Sequence, residues 1–441
     1  MKHLVLLAFL IITTTALIAQ HYNAGTGSGT LGLNNTFIGT NTGNASIAIA
    51  SDNVFVGYNS GRFNTSGDFN VFMGSEAGTL NTTGSYNTFI GRGSGRANTS
   101  GVENTYLGWR TGNLTTTGNA NVFLGYGAGY SNTTASENVI IGHSAMYENL
   151  TGTRNVVLGY KADSSNLSNN DITALGYLAA KNNIADGTTA IGSRALTLNT
   201  TGINNSAIGF DVLRNNTTGK GNTAMGSSSL KANITGISNT GIGVRTLLLN
   251  NSGNSNIAIG TGALSSNILG SNNIALGDSA GAVSVGNGNI FIGHKAGFTE
   301  TISNKLYIGS HLNNILYGNL LTGQILIGEP NPAGYEFKGN RKLNVIGGIL
   351  ADSIRVALSS TWADYVFNSN YQLKPLNELK NYLATHHHLP NMPSAEVVTQ
   401  DGINMAEMTN KLLEKIEELH LYVLQLNDEI KLLKLEMKKS H

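Results

Sequence analysis

Two stretches carry residue types that ligation or catalysis uses. Gly27-Ser28-Gly29-Thr30-Leu31-Gly32 fits the G-x-G-x-x-G spacing of a dinucleotide-binding turn. It has no strand-turn-helix context and no acidic partner, and glycine is abundant at 55 of 441 residues, so no nucleotide site is assigned. His386-His387-His388 offers three imidazoles to a metal. Consecutive residues do not converge easily on one ion, and no cysteine or acidic ligand set adjoins them; a turn or interface role fits better. Asp and Glu are scattered out of phase through the chain, so no paired-carboxylate site for glycan cleavage is visible. Thr pairs fill many turns, but adjacent threonines in a turn do not make the flat Thr-x-Thr array of an ice-binding surface. No catalytic, cofactor-binding or metal residue is assigned, and the expectation is a non-enzymatic protein.

What positions all these residues is a repeat. One clear copy is Asn87-Thr88-Phe89-Ile90-Gly91-Arg92-Gly93-Ser94-Gly95, followed by a polar turn with Asn98 and Gly101. Its anchor glycine recurs at 39, 57, 74, 91, 108, 125, 142, 159, 176, 192, 209, 226, 243, 260, 277, 293, 309 and 328, mostly in steps of 17. A fixed period of this length is the signature of a solenoid in which each repeat is one coil. Glycine richness and only 12 % charged residues would also suit disorder. The polar residues are phased, however, and an aliphatic residue or methionine precedes every anchor glycine.

With the anchor glycine as position zero, position −1 is Ile, Leu, Val or Met, as in Ile38, Val56, Met73 and Leu107. Position −4 is Asn in 14 of 18 copies, beginning Asn35, Asn53, Asn70, Asn87, Asn104, Asn121, Asn138 and Asn155. Stacked coils would set these amides above one another as a hydrogen-bonded ladder. Position +7 is again mostly Asn and +10 often Gly, which supply turn conformations with positive φ. All five prolines lie beyond the regular coils, as a continuously paired sheet requires.

Positions −2 and +4 exchange volume. Phe37, Phe55, Phe72, Phe89, Tyr106 and Phe123 each go with a glycine six residues on, and Phe291 returns to that form with Gly297. Between them the roles reverse: Leu196, Leu213, Leu230, Leu247 and Leu264 each follow Ala or Gly at −2. Large facing small is the mark of two positions sharing one packed layer. Strand neighbours −1 and −2 point to opposite faces and both are apolar, so both faces should be covered. One thin coil has no second partner to offer. The expectation is therefore a homotrimer, with the −2/+4 layer carrying the claim that the chain does not work alone; a wider monomeric solenoid enclosing both layers is the alternative.

Asn222-Thr-Ala-Met-Gly226, Asn256-Ile-Ala-Ile-Gly260 and Asn273-Ile-Ala-Leu-Gly277 resemble the YadA-type head repeats of trimeric autotransporter adhesins. The resemblance covers about residues 30–310 and implies a trimer of left-handed parallel β-rolls acting in adhesion. Two departures stand out. The period is longer than that family's usual repeat, and no C-terminal membrane β-barrel is read here, which leaves self-anchoring and self-export unsupported.

The remainder divides by composition. Met1 to Ala19 has the polar start, apolar run and small residues of a secretory signal peptide. Residues 20–297 form the solenoid, 298–341 degenerate repeats and a linker, and 342–361 a β neck. Residues 362–402 read as a small α/β module, with Pro375 opening a helix. In 403–441, Asn404 and Glu407 make a capping-box pattern. Ile416, Leu419, Val423, Leu426, Ile430, Leu433 and Met437 then form a coiled-coil seam, dimeric or trimeric. The run from Trp362 through His388-Leu-Pro-Asn-Met-Pro-Ser394 resembles a C-terminal module of secreted fibre-like proteins of Gram-negative bacteria, placed like the trimerising chaperone that ends phage tail fibres. The self-cleaving Ser-Asp signature of that chaperone is not matched, so no autoproteolysis is expected.

The expected protein is thus mainly β: a parallel β-solenoid of about 17 coils, a small α/β module and a C-terminal coiled coil. It would be secreted or held on the surface of a Gram-negative bacterium, with no membrane span after signal removal. Its partners would be itself, as a homotrimer, and a cell-surface, matrix or glycan ligand. The net charge of +1 gives no pull on nucleic acid. A tail-fibre-like receptor-binding protein is the second reading; a polysaccharide-degrading solenoid with a site between subunits and an ice-binding one are the remaining alternatives.

Overall fold

The repeats anchored at Gly39 to Gly293 each fold as a three-residue strand that ends one residue before the anchor glycine. A computed structural model describes residues 22–24, 32–44, 50–311, 314–328, 337, 340–356 and 362–439. The expected signal peptide, the glycine stretch 27–31 and most of the linker at 329–341 lie outside the described residues. The chain forms two compact units that divide after Gly348.

In the first unit eighteen parallel strands, β1 (Tyr22–Ala24) to β18 (Lys305–Gly309), pair in chain order. Equivalent residues stand opposite one another, so Phe72 pairs Phe89 and Met73 pairs Ile90. This is a parallel β-solenoid of about 17 turns, mainly β as the period predicts. The backbone explains the anchor glycine. Gly91 has φ +127°, and a Cβ there would stand 2.3 Å from the carbonyl oxygen of Gly108 in the next coil. Coils therefore approach through bare backbone at this column, and no side chain fits.

The stack closes differently from the sequence expectation. Tyr307-Ile308-Gly309 is a true coil, in register with Phe291. Leu326-Ile327-Gly328 is not: β19 (Asn314–Asn319) runs antiparallel to β18, and β20 (Gln324–Ile327) antiparallel to β19. The expected neck contributes one short strand, β21 (Leu343–Val345), parallel to β20.

The second unit is helical among its described residues. A 3₁₀ turn (Ala363–Phe367) is followed by α1 (Leu376–His386), α2 (Ala395–Asp401) and α3 (Met405–Lys439). No strand occurs in the described part of 362–402, so the expected α/β module holds helix only. Ala363 and Val366 are buried, and Tyr365 Oη donates to Glu414 Oε2 of α3 at 2.6 Å. That hydrogen bond to a carboxylate, helped by burial, pushes the Tyr365 phenol up to about 12.

Candidate ligand-binding surface

Interior and exterior are set by which side each position takes. The −2 residues and their +4 partners point into the coil and are fully buried. Phe37, Phe55, Phe72, Phe89, Tyr106 and Phe123 stack ring on ring at 4.7–5.2 Å. A Cβ on Gly61, Gly78, Gly95, Gly112 or Gly129 would strike the ring six residues earlier. The handover to the leucine form is gradual: Ile140/Met146, Val157/Asp163, Ala174/Ala180, then Ala190/Leu196. Leu196, Leu213, Leu230, Leu247 and Leu264 all adopt φ of 47–51°, a conformation costing about 1–2 kcal/mol in a side-chain-bearing residue. At the far end Gly281 seats Phe291 on one side and Leu264 on the other. The expected shared layer is therefore real, but it is filled within one chain. It does not itself require a partner, which corrects the role given to it above.

The −4 asparagines form the expected ladder. Asn53 Oδ1 accepts from the Asn70 backbone N–H at 2.9 Å and from Asn70 Nδ2 at 3.1 Å, while Asn70 Nδ2 also donates to Gly84 O at 2.9 Å. The same pattern links Asn35, Asn87, Asn104, Asn121 and Asn138. Asn155 ends the run, accepting from the backbone of Ile172 at 2.9 Å. A second ladder runs at +7, as in Asn98 Nδ2 to Asn81 Oδ1 at 2.7 Å. Thr115 interrupts it where Tyr106 replaces Phe, and receives the phenol hydrogen bond at 3.4 Å.

The −4 ladder gives way where the core holds a carboxyl. Asp163 is fully buried, and its Oδ2 accepts from Asn166 Nδ2 at 2.7 Å. Burial pushes this carboxyl well above its usual range, against the lowering effect of the Asn166 and Asn183 amides.

Outward, the strands present −1 and −3. Ile38, Met73, Leu107, Leu158 and Met225 are 37–47 % exposed, as are Val122 and Val156 at −3. A single coil encloses only one of its two apolar layers, and this strip is the other.

The segment after each anchor glycine makes a different face. In the +1 column Trp109, Tyr126, His143, Tyr160 and Tyr177 follow one another, with centroids 4.7–5.5 Å apart. In the +2 column Gly93 falls between Glu76 and Arg110 and leaves a gap. The result is a surface cavity of about 120 Å³ lined by Glu76, Arg92, Gly93, Arg96, Trp109, Arg110, Asn113 and Tyr130. Asn113 Nδ2 donates to Gly93 O at 2.7 Å and fixes its floor. The sequence reading missed this site; its signal is the repeat read down columns +1, +2 and +5.

In the second unit the predicted seam of Ile416, Leu419, Val423, Leu426, Ile430, Leu433 and Met437 lies on α3 and is exposed throughout. Glu414, Glu417 and Tyr422 are the buried residues of α3, and Tyr422 Oη donates to Lys374 O at 2.5 Å. Asn404 Oδ1 caps α3, accepting from the N–H of Glu407 at 3.3 Å, while the Glu407 carboxylate pairs with Lys411 at 2.8 Å. His387 occupies the left-handed C-cap of α1, and His386 stacks on Tyr382 at 4.1 Å. Among the described residues no helix is long and apolar enough to cross a membrane.

Fold and surface together define a parallel β-solenoid with 17-residue coils. No protein-family model matches the chain, and no curated protein matches it in sequence.

Proposed function

We propose that this chain is an exported, fibrous, adhesin-like binding protein that works as a homotrimer through its repetitive solenoid surface. The observation that carries the reading is the strip at −1 and −3. It repeats coil after coil, is aliphatic or Met at −1 and Val, Ile, Leu, Thr or Ser at −3, and is left partly exposed by a single chain. Contiguous apolar surface of this extent marks an interaction face. Self-assembly about an axis would cover it and leave the face of columns +1, +2 and +5 outward for a ligand. The exposed seam of α3 supports the same reading, since a heptad seam is stable only when paired.

Adhesion is tested with beads coated with the chain lacking residues 1–19. The expected result is retention on cells or on glycan- or matrix-coated surfaces. Beads that adhere to none of these would overturn the reading.

A further inference from the structure

The cavity at Gly93 is used neither by the interior nor by the assembly face. Three of the chain's ten arginines line it: Arg92, Arg96 and Arg110. One carboxylate faces them, Glu76, whose Oε2 lies 3.5 Å from Arg96 Nε. Among the described residues no carboxylate pairs with Arg92 or Arg110. A second basic cluster on the same solenoid is built otherwise. There Arg194, Arg214 and Lys231 converge on the buried Asp211 at 2.8, 3.8 and 3.2 Å, so each cation has a carboxylate partner. Arg92 and Arg110 at Gly93 have no such partner among the described residues and call for an anion from outside.

Trp109 narrows the choice. It stands at 76° to Tyr126, whereas the rings beyond lie within 12–30° of their neighbours and cover each other's faces. A nucleic acid needs free faces for successive bases, and this ladder offers none past the indole. The indole stacks face to face on no other ring, the Arg110 guanidinium standing 5.8 Å over it, and an indole beside planar, bidentate donors suits a ring with an apolar face and a carboxylate edge. The cavity is well below the roughly 300–1,000 Å³ that engulfs a drug-sized ligand, so it suits one such residue of a longer chain.

We propose that the Gly93 cavity binds a carboxylate-bearing sugar residue of an acidic glycan, Arg92 and Arg110 holding the carboxylate and Trp109 the ring. This names the ligand class of the binding surface proposed above and rests on that reading. Two sources share the chemistry, an internal uronic acid and a terminal sialic acid.

The test is titration calorimetry of the chain lacking residues 1–19 against hexagalacturonate and its methyl ester, and against sialyllactose and lactose. One acidic probe should bind at least tenfold more tightly than its neutral counterpart. Arg92→Gln, Arg110→Gln and Trp109→Ala should each weaken that binding at least fivefold. Gly93→Asn, which fills the gap with a residue tolerant of the left-handed backbone, should abolish it. Arg214→Gln should leave it unchanged. Binding by neither acidic probe, equal binding of the neutral forms, or indifference to the four cavity variants overturns the proposal. Coated beads separate this failure from that of the adhesion reading. If wild type and Trp109→Ala adhere equally, adhesion stands and this site falls; if wild type adheres nowhere, the adhesion reading falls, while the calorimetry still scores the cavity.

Discussion

A Cβ added at Gly95 would stand 2.5 Å from Cδ2 of Phe89, closer than non-bonded carbons approach. The two residues fill one space, and Ala207 with Leu213 fills the equivalent space the other way round. Phe89→Ala alone should therefore cost about 3–5 kcal/mol as a cavity. Gly95→Leu alone should cost a similar amount by overpacking and backbone strain. The double variant Phe89→Ala/Gly95→Leu should recover a substantial part of the loss, a favourable coupling of about 1–3 kcal/mol. Urea unfolding of the four proteins checks this, and strict additivity would refute shared packing.

The anchor column makes a sharper demand. At Gly91 the obstacle is the Gly108 carbonyl, which cannot move without displacing a coil. At Gly262 (φ +68°) the nearest atom to an added Cβ is Ser279 Oγ at 3.6 Å. Gly262→Ala should cost only its backbone strain, about 1–2 kcal/mol. Gly91→Ala should cost clearly more, with a lower melting temperature by circular dichroism. Equal losses would mean that φ alone fixes the anchor.

Asp163 should make the solenoid sensitive to pH. Its folded carboxyl titrates well above the usual 3.8, so the folded chain holds a proton that the unfolded chain releases. Stability from this group is complete below 3.8 and is lost as pH rises through the window above it, levelling once the folded carboxyl ionises. Melting curves from pH 4 to 9 should show Asp163→Asn losing less stability with rising pH than wild type, and matching or exceeding it at the alkaline end. Parallel pH profiles would contradict the assignment.

Much of this was legible in phase. The anchor glycines placed every coil from 39 to 309, and the −4 asparagines named the ladder that Asn53 and Asn70 form. Which apolar face lies inside was harder, because Ile90 and Phe89 are both apolar neighbours on one strand. The deciding signal was available: −2 exchanges volume with +4, as a closed interior must, whereas −1 accepts any aliphatic residue or methionine. The Gly328 copy misled because a Leu-Ile-Gly phrase fits an antiparallel hairpin as well as a coil. The cavity was out of reach of any single copy, since Arg92, Arg110 and Glu76 meet only once coils are stacked.

The α3 seam bears on assembly. Leu419, Val423 and Leu426 stay exposed, while Glu414 and Tyr422 are the buried residues of α3 that contact the chain's own module. Leu426→Glu should therefore weaken association without unfolding the solenoid. Circular dichroism should keep its strand signal and first melting transition while the sedimenting mass falls. A variant that keeps wild-type mass would remove the seam from the account.

The central claim is that the half-exposed strip of Ile38, Met73, Leu107 and Met225 is covered by sister chains. Sedimentation equilibrium of the chain lacking residues 1–19 tests it most directly. The account predicts three chain masses, persisting on dilution into the micromolar range. A single chain mass at every concentration, or a stable mass of two chains, would contradict it.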